Sequence, residues 1–345
     1  MRNLFSIHTI EFIRVMTRNE SQELMSITKG EFKNYKKNGN EYHCYLKHPG
    51  IRLILQFRRE PPILMRVIIN LNAANGGDGN ILFNPKFQNL SSVFLATDIA
   101  FEEENLNLNL SQFSIGRVDF TVDIQMDSDE EVMAYIALAK RKGLDKNYRN
   151  KYKAGLKNIK FENSFDAVSK STEFTLYNKY RQLLDIGYSE EEASYKFGTL
   201  RMEVKLRHYI LRGQIRGMCK ENNISEIGCI CEMIENSESV LKKYAKKFLT
   251  DGTFYRYKNA IKKIEALNIK DQYKKIAVSI ISQTSIHHNL RLAQKILVNE
   301  KIAKESQIKK VLQILYLNDI NPITLGERSG LKELPSLLYL IDEQQ

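Results

Sequence analysis

Three short stretches of the chain, residues 115–124, 173–180 and 199–207, alternate between apolar and polar side chains. This period of two is typical of a half-buried β-strand, whose successive side chains point to opposite faces of a sheet. If the three strands share one sheet and bury their apolar faces, the other face collects charged and phenolic groups: Arg117, Asp119, Asp123, Tyr177, Lys179, Arg201 and Glu203. The pattern therefore predicts a sheet with one open, polar face.

Two interpretations of this polar face stay open. Charged residues opposite apolar ones are the norm on the solvated face of an antiparallel sheet, and for any single strand this interpretation is favoured. The matching chemistry of three strands favours a site, because carboxylates bind hard metals and guanidinium groups bind phosphates. Asp119, Asp123 and Glu203 are then the candidate ligands of Mg²⁺ or Mn²⁺. Arg117 and Arg201 would hold phosphates or orient the carboxylates.

The rest of the first 214 residues contains segments of strand-like alternation and segments of helical periodicity. Strands are predicted near 1–17, 42–45, 52–57 and 64–72, and helices over 85–104, over 127–142 and in a short capped segment at 189–192. The glycine-rich stretch 73–80 lacks the Gly-Lys-Ser/Thr of a phosphate-binding P-loop, so we interpret it as a connection.

From about residue 215 the alternation stops and helical periodicity with Lys-rich faces replaces it. Helices are predicted over 226–249, 253–266, 269–283, 287–298 and 306–317, with one or two short helices within 325–341. The predicted fold class is therefore α+β. An antiparallel sheet domain with helices on one face spans residues 1–214, and an all-helical C-terminal domain spans 215–345.

The chain is basic, with 52 Lys and Arg against 41 Asp and Glu and a net charge of +11. Such an excess favours a polyanionic partner, because neutralising phosphates releases counterions. The basic residues concentrate in 140–160 and 242–310. In the first of these segments Lys151 and Lys153 are interleaved with Tyr148 and Tyr152, which suits binding of a nucleic-acid strand by phosphate contact and base stacking. A solvated loop is an equally good interpretation.

Cysteine usage and hydropathy point to an intracellular protein. Cys229 and Cys231 are too closely spaced for a common zinc motif, and the four cysteines are expected to be reduced thiols. The chain shows no apolar run of membrane-spanning length, and its first residues lack a signal-peptide pattern. A cytoplasmic location is therefore expected, with no membrane partner.

The three strands also resemble a known family. RVDFTVD at 117–123, LYNK at 176–179 and RMEVKLR at 201–207 are similar, in this order, to core motifs of rolling-circle replication initiators of the replication initiation factor (Rep_trans) type. They also resemble the related filamentous-phage gene II/X replication proteins. LMRVIINLN at 64–72 is similar to an earlier strand of that family, so the resemblance covers roughly residues 50–210.

The resemblance implies a site-specific DNA nicking and joining enzyme that initiates rolling-circle replication of a phage or plasmid. Tyr177 would attack a DNA phosphate and stay linked to the 5′ end, while the freed 3′-hydroxyl primes synthesis. Lys179 would lower the phenol pKa or neutralise developing charge, and the three acids would bind the metal. The expected DNA contacts are Arg117, Arg201, Lys205, Lys151 and Lys153.

Two other functions fit the same motifs. A relaxase of a mobile element performs this chemistry at a transfer origin, and a non-catalytic DNA-binding regulator could retain the fold. The expected partners are origin DNA, as a single strand or hairpin nick site, and the host helicase and polymerase machinery; a homodimer stays open. Tyr180 is one residue out of phase with Tyr177 and is expected on the apolar side of its strand.

Overall fold

A computed structural model describes residues 4–31, 36–38, 40–57, 63–86, 88–151, 162–326 and 330–343. Its strands are β1 (Phe5–Met16), β2 (Lys36–Asn38), β3 (Glu41–Tyr45), β4 (Ile51–Gln56), β5 (Ile63–Asn70), β6 (Ser114–Gln125), β7 (Ser164–Val168), β8 (Thr172–Asn178), β9 (Thr199–Arg207), β10 (Phe254–Tyr255) and β11 (Glu333–Leu334). A large antiparallel sheet combined with many helices confirms the predicted α+β class.

The helices of the described residues include elements that overlap the ranges predicted from periodicity, together with four, at residues 18–31, 71–74, 179–185 and 208–222, that were not predicted. They are α1 (Arg18–Glu31), α2 (Leu71–Ala74), α3 (Leu90–Glu103), α4 (Asp129–Lys142), α5 (Lys179–Asp185), α6 (Glu190–Ala193), α7 (His208–Asn222), α8 (Cys229–Glu235), α9 (Ser237–Phe248), α10 (Tyr257–Ala266), α11 (Asp271–His287), α12 (Leu290–Asn299), α13 (Glu305–Leu317) and α14 (Leu337–Glu343). Within the described part of the chain, no helix combines the length and the apolar character needed to cross a membrane.

The chain divides into two compact units. The first unit holds residues 4–122 and 203–241, and the second unit holds 123–202 and 242–345. The division differs from the single predicted boundary at 214/215, because strands β6 and β9 each pass from one unit into the other. Periodicity reports the type of each element but not which distant segments pack together.

In the first unit the strands follow the order β2-β3-β4-β5-β1-β6-β9. The registers of the five pairs from β2–β3 to β1–β6 are antiparallel. Strand β1 is slipped against β6 between Ile7 and Thr9 and again between Glu11 and Phe12, as β-bulges do. Side chains with no exposed surface, including Ile7, Ile10 and Phe12, form the core against which this sheet packs.

In the second unit the end of β6 and the start of β9 are followed by β8 and β7, in the order β6-β9-β8-β7. Helix α4 packs on β7 and β8, and its first turn is capped by Ser128, which accepts a hydrogen bond from the Glu131 amide at 3.2 Å. Phe174 of β8 stacks on Phe248 of α9 with ring centres 4.8 Å apart. The apolar side of this β-hairpin is therefore buried beneath helices.

The predicted all-helical character of residues 215–345 is wrong in one detail. Strands β10 and β11 pair there, with Phe254 opposite Leu334 and Tyr255 opposite Glu333. Each strand has two residues, which is too short to leave an alternating pattern, and the pairing joins segments far apart along the chain.

Candidate functional site

Tyr177 lies on β8, as predicted, and is partly exposed. It stands directly opposite Ser164 of β7, and Thr175 stands opposite Asp166. Because residues two positions apart share one face of a strand, these four side chains and Glu173 form one surface, which we call the β7–β8 polar face.

Hydrogen bonds organise the β7–β8 polar face around Asp166. The Ser164 hydroxyl donates to Asp166 Oδ2 at 2.8 Å, and the Thr175 hydroxyl donates to Oδ1 at 3.1 Å. Burial raises the pKa of Asp166, while the hydrogen bond from Ser164 and the positive charge of Lys151 partly oppose that rise. Asp166 is therefore a buried carboxylate with an increased affinity for protons, two strand positions from the residue opposite Tyr177.

Sequence analysis did not identify Ser164 and Asp166 as site residues. The signal existed, because residues 164–167 alternate between polar and apolar side chains as Ser-Phe-Asp-Ala. The stretch is short, and nothing within it shows that it pairs with the strand that carries Tyr177. The register of the hairpin supplies that information.

Lys151 and Glu173 form an ion pair at one end of this face. The Lys151 ammonium donates to Glu173 Oε1 at 2.8 Å, and 44% of the Lys151 side chain remains exposed. Lys151 can therefore reach a phosphate if it leaves Glu173. Lys153, the other DNA contact predicted in this segment, and Tyr152 lie outside the described residues.

Asp123 is held by two basic side chains within the second unit. Arg201 Nε and Nη2 contact Oδ1 and Oδ2 of Asp123 at 2.5 and 2.8 Å, and Lys196 donates to Oδ2 at 2.8 Å. Burial pushes the pKa of Asp123 upward, but the charges and hydrogen bonds of Arg201 and Lys196 lower it to about 2. Asp123 is therefore ionised throughout the physiological range.

The predicted placement of Lys179 on the same strand face as Tyr177 is wrong. Strand β8 ends at Asn178, whose side chain accepts a hydrogen bond from the Arg181 amide at 3.0 Å and caps α5. Lys179 is the first residue of that helix, is 3% exposed, and donates to Gln182 Oε1 at 2.7 Å. Its predicted catalytic role stays a prediction.

Tyr180 also lies in α5 and not on β8. Its ring meets that of Phe197 edge to face, with the centres 5.4 Å apart. The two tyrosines of the LYNKY stretch therefore have different surroundings, because the strand ends between them.

A second group of charges lies within the first unit around Asp119. Arg117 Nε is 2.8 Å from Asp119 Oδ1, and Arg117 Nη1 is 3.2 Å from Glu11 Oε2. Lys205 Nζ is 3.5 Å from Glu203 Oε2. Burial raises the pKa of Asp119 to about 6, because it outweighs the attraction of Arg117 and Lys205, and the negative charge of Glu203 adds to the rise.

We expect Asp119→Asn to stabilise the protein at neutral pH. Because the pKa of Asp119 is about 6 when folded and its ordinary value is 3.8, the folded state binds this proton more tightly. The contribution of this group to stability is therefore full below the ordinary value and is lost as pH rises through about 6. The variant should match the wild type in urea unfolding near pH 3 and exceed it by up to about 3 kcal/mol at pH 7.5. A variant that is less stable at both pH values would contradict the raised pKa.

The polar face predicted to be open is largely closed. Arg201 is 0% exposed, Asp119 4% and Glu203 8%. Pairing with opposite charges explains this burial, because a charge removed from water needs a compensating partner.

The three predicted metal ligands are distributed over the two units. Asp119 and Glu203 belong to the first unit and Asp123 to the second, and each carboxylate contacts a basic side chain. In the described ranges, no group of three or more His, Cys, Asp or Glu residues is placed to hold a metal ion. Binding of Mg²⁺ or Mn²⁺ by these residues stays a prediction.

Comparison with protein-family models, with curated protein sequences and with solved structures finds no match for this chain. A function must therefore be inferred from its own residues and their geometry.

Proposed function

We propose that this chain is a DNA nicking and joining enzyme that initiates rolling-circle replication of a phage or plasmid, with Tyr177 as its nucleophile. The observation that carries the proposal is the β7–β8 polar face. It presents a partly exposed phenol beside a hydroxyl and a buried carboxylate of raised pKa. The order of the RVDFTVD, LYNK and RMEVKLR motifs supports the same conclusion.

A tyrosine nucleophile needs a base, because a phenol with a pKa of about 10 is mostly protonated at neutral pH. Asp166 is the candidate base. Diagonal neighbours across an antiparallel pair stand about 7–8 Å apart, within reach of an aromatic side chain. A carboxylate whose pKa is raised accepts a proton more readily than an ordinary one.

The proposed step is an in-line transfer at phosphorus. Tyr177 Oη forms a bond to a DNA phosphorus, the P–O3′ bond breaks, and the phenol proton passes to Asp166. The departing O3′ takes a proton from solvent, which leaves a 3′-hydroxyl and a 5′-phosphotyrosyl link. The reverse sequence rejoins the strand.

The basic residues implied by the resemblance have different proposed roles according to their exposure. Arg201 is buried on Asp123, so its contribution is to hold that carboxylate in place. Arg117, Lys205 and Lys151 are partly exposed and are the proposed phosphate contacts. A metal ion would supply further polarisation of the phosphate.

Incubation of the full chain with supercoiled cognate plasmid and Mn²⁺ tests the proposal. Open circles that carry covalently attached protein after denaturation are the expected product. Binding of the plasmid by the protein without nicking would contradict the proposal and favour the DNA-binding regulator.

We expect Asp166→Asn to slow formation of the covalent complex by roughly 10²–10⁴-fold, the usual contribution of a general base. The amide keeps the shape of the carboxylate and can still bond to Ser164 and Thr175, so folding and DNA affinity should survive. The initial rate of covalent complex formation is the measurement. Glu162→Gln, an exposed carboxylate two residues before Ser164, is the matched control and should react at the wild-type rate. An unchanged rate in Asp166→Asn would exclude Asp166 as the base.

A further inference from the structure

An open groove of about 800 Å³ lies within the second unit, and its lining includes none of the residues of the β7–β8 polar face. Three segments line it: the loop 143–148 after α4, Lys247 near the end of α9, and the start of α12. We call it the α4–α12 groove. Its charged, aromatic and apolar lining includes Asp145, Lys146, Tyr148, Lys247, Arg291, Leu292 and Lys295.

Close packing of the Gly143 backbone against the Asn289 side chain builds one wall of the α4–α12 groove. Gly143 ends α4 with a φ of +79°, and a Cβ atom added there would lie 2.7 Å from Asn289 Oδ1. Asn289 in turn caps α12 by accepting a hydrogen bond from the Leu292 amide at 3.0 Å. Arg291 pairs with Asp145, which ties the loop to the same helix. The groove is therefore held by specific contacts between its loop and its helix.

Positive charge exceeds negative charge in this groove. Lys146, Lys247, Arg291 and Lys295 face one lining acid, Asp145, which Arg291 already neutralises. Lys146 and Lys295 are exposed. Burial and the charge of Arg291 lower the pKa of the neighbouring Lys142 to about 8. The groove therefore presents cations to any anionic ligand.

Apolar and aromatic surface accompanies these cations. Leu292 is 43% exposed at the groove. The Tyr148 ring is fixed edge to face against Phe248, with centres 4.9 Å apart. Lys247 Nζ lies 4.6 Å from the centre of the Tyr148 ring and donates to its hydroxyl at 2.9 Å. Sites for unpaired nucleic-acid strands combine such cations with surfaces that contact bases.

We propose that the α4–α12 groove binds single-stranded DNA, with Lys146, Lys247, Arg291 and Lys295 on the phosphates and with Tyr148 and Leu292 against the bases. In duplex DNA the bases are stacked inside the helix, so only its phosphates could contact the groove, through the cations. This binding requires no chemistry at Tyr177, so it goes beyond the proposed nicking activity and stands independently of it.

The test compares binding of a fluorescent oligothymidylate of about 15 nucleotides, a length that a single-strand site can hold. Lys146→Glu combined with Lys295→Glu changes two exposed residues, so the full chain should fold. Affinity at moderate salt should fall at least about tenfold, and the slope of log affinity against log salt should fall by about 1.4 for two lost phosphate contacts.

The matched control is Lys262→Glu combined with Lys275→Glu, which makes the same change in charge on exposed positions of α10 and α11. The control should keep wild-type affinity, and unlabelled duplex of the same length should compete poorly with the oligothymidylate. Equal losses in both double variants, wild-type binding by the groove variant, or equal competition by duplex would each overturn the proposal. Tyr177→Phe should bind the oligothymidylate normally, which separates failure of this inference from failure of the nicking proposal.

Discussion

Replacing Arg201 with Met should lower the free energy of unfolding by about 3–5 kcal/mol, the usual effect of breaking a buried ion pair by removing one partner. Arg201 has no exposed surface and holds both carboxylate oxygens of Asp123. Methionine fills part of the volume but leaves Asp123 with Lys196 alone. The loss therefore comes mainly from the uncompensated charge of Asp123.

Urea unfolding at several pH values measures this effect. The pKa of Asp123 is about 2 when folded against an ordinary value of 3.8, so its stabilising contribution is full above 3.8 and is lost as pH falls through about 2. The difference between wild type and Arg201→Met should therefore be largest near pH 7 and smaller at pH 3. Arg212→Met, which removes an exposed guanidinium on α7, is the control and should change stability by less than about 0.5 kcal/mol. A loss of that small size in Arg201→Met would show that the buried pair contributes little.

Tyr177→Phe should abolish the covalent DNA complex while leaving folding and DNA affinity intact. The substitution keeps the ring and removes only the attacking oxygen. If the hydroxyl merely completes a hydrogen bond in the sheet, the variant would lose at most about 1.5 kcal/mol of stability and would still nick DNA. Tyr180→Phe is the matched control because Tyr180 lies in α5 against Phe197, and it should retain most of the activity. Nicking and covalent-complex yield, measured beside thermal unfolding, separate the two outcomes.

Local patterns predicted much of this fold. The stretch 115–124 lies within β6, residues 199–207 form β9, and the helix predicted over 269–283 overlaps α11. Alternation and helical spacing are properties of neighbouring residues, so they can be recognised without knowing which distant residues are in contact. The capped segment at 189–192 was predicted for the same reason, and it contains the reciprocal hydrogen bonds of a capping box.

The features that sequence analysis missed depend on contacts between distant residues. Lys179 continued an alternating pattern, but the capping preference of Asn178 ended the strand before it. The diagonal position of Asp166 relative to Tyr177 follows from the register of β7 on β8. The closure of the polar face follows from ion pairs such as Arg201 with Asp123, which join different strands. The alternation along each strand predicted one polar face for these residues. It did not predict which of their charges neutralise each other.

The central claim, that Tyr177 attacks DNA, is tested most directly by locating the DNA-linked residue in the wild-type protein. The covalent complex would be digested with nuclease and protease, and the peptide that retains a nucleotide would be sequenced by mass spectrometry. With 17 tyrosines in the chain, the position of the modified residue is decisive. The proposal predicts a 5′-phosphate bonded to Tyr177 alone. A nucleotide on any other residue, or no covalent peptide from a preparation that nicks its plasmid, would contradict it.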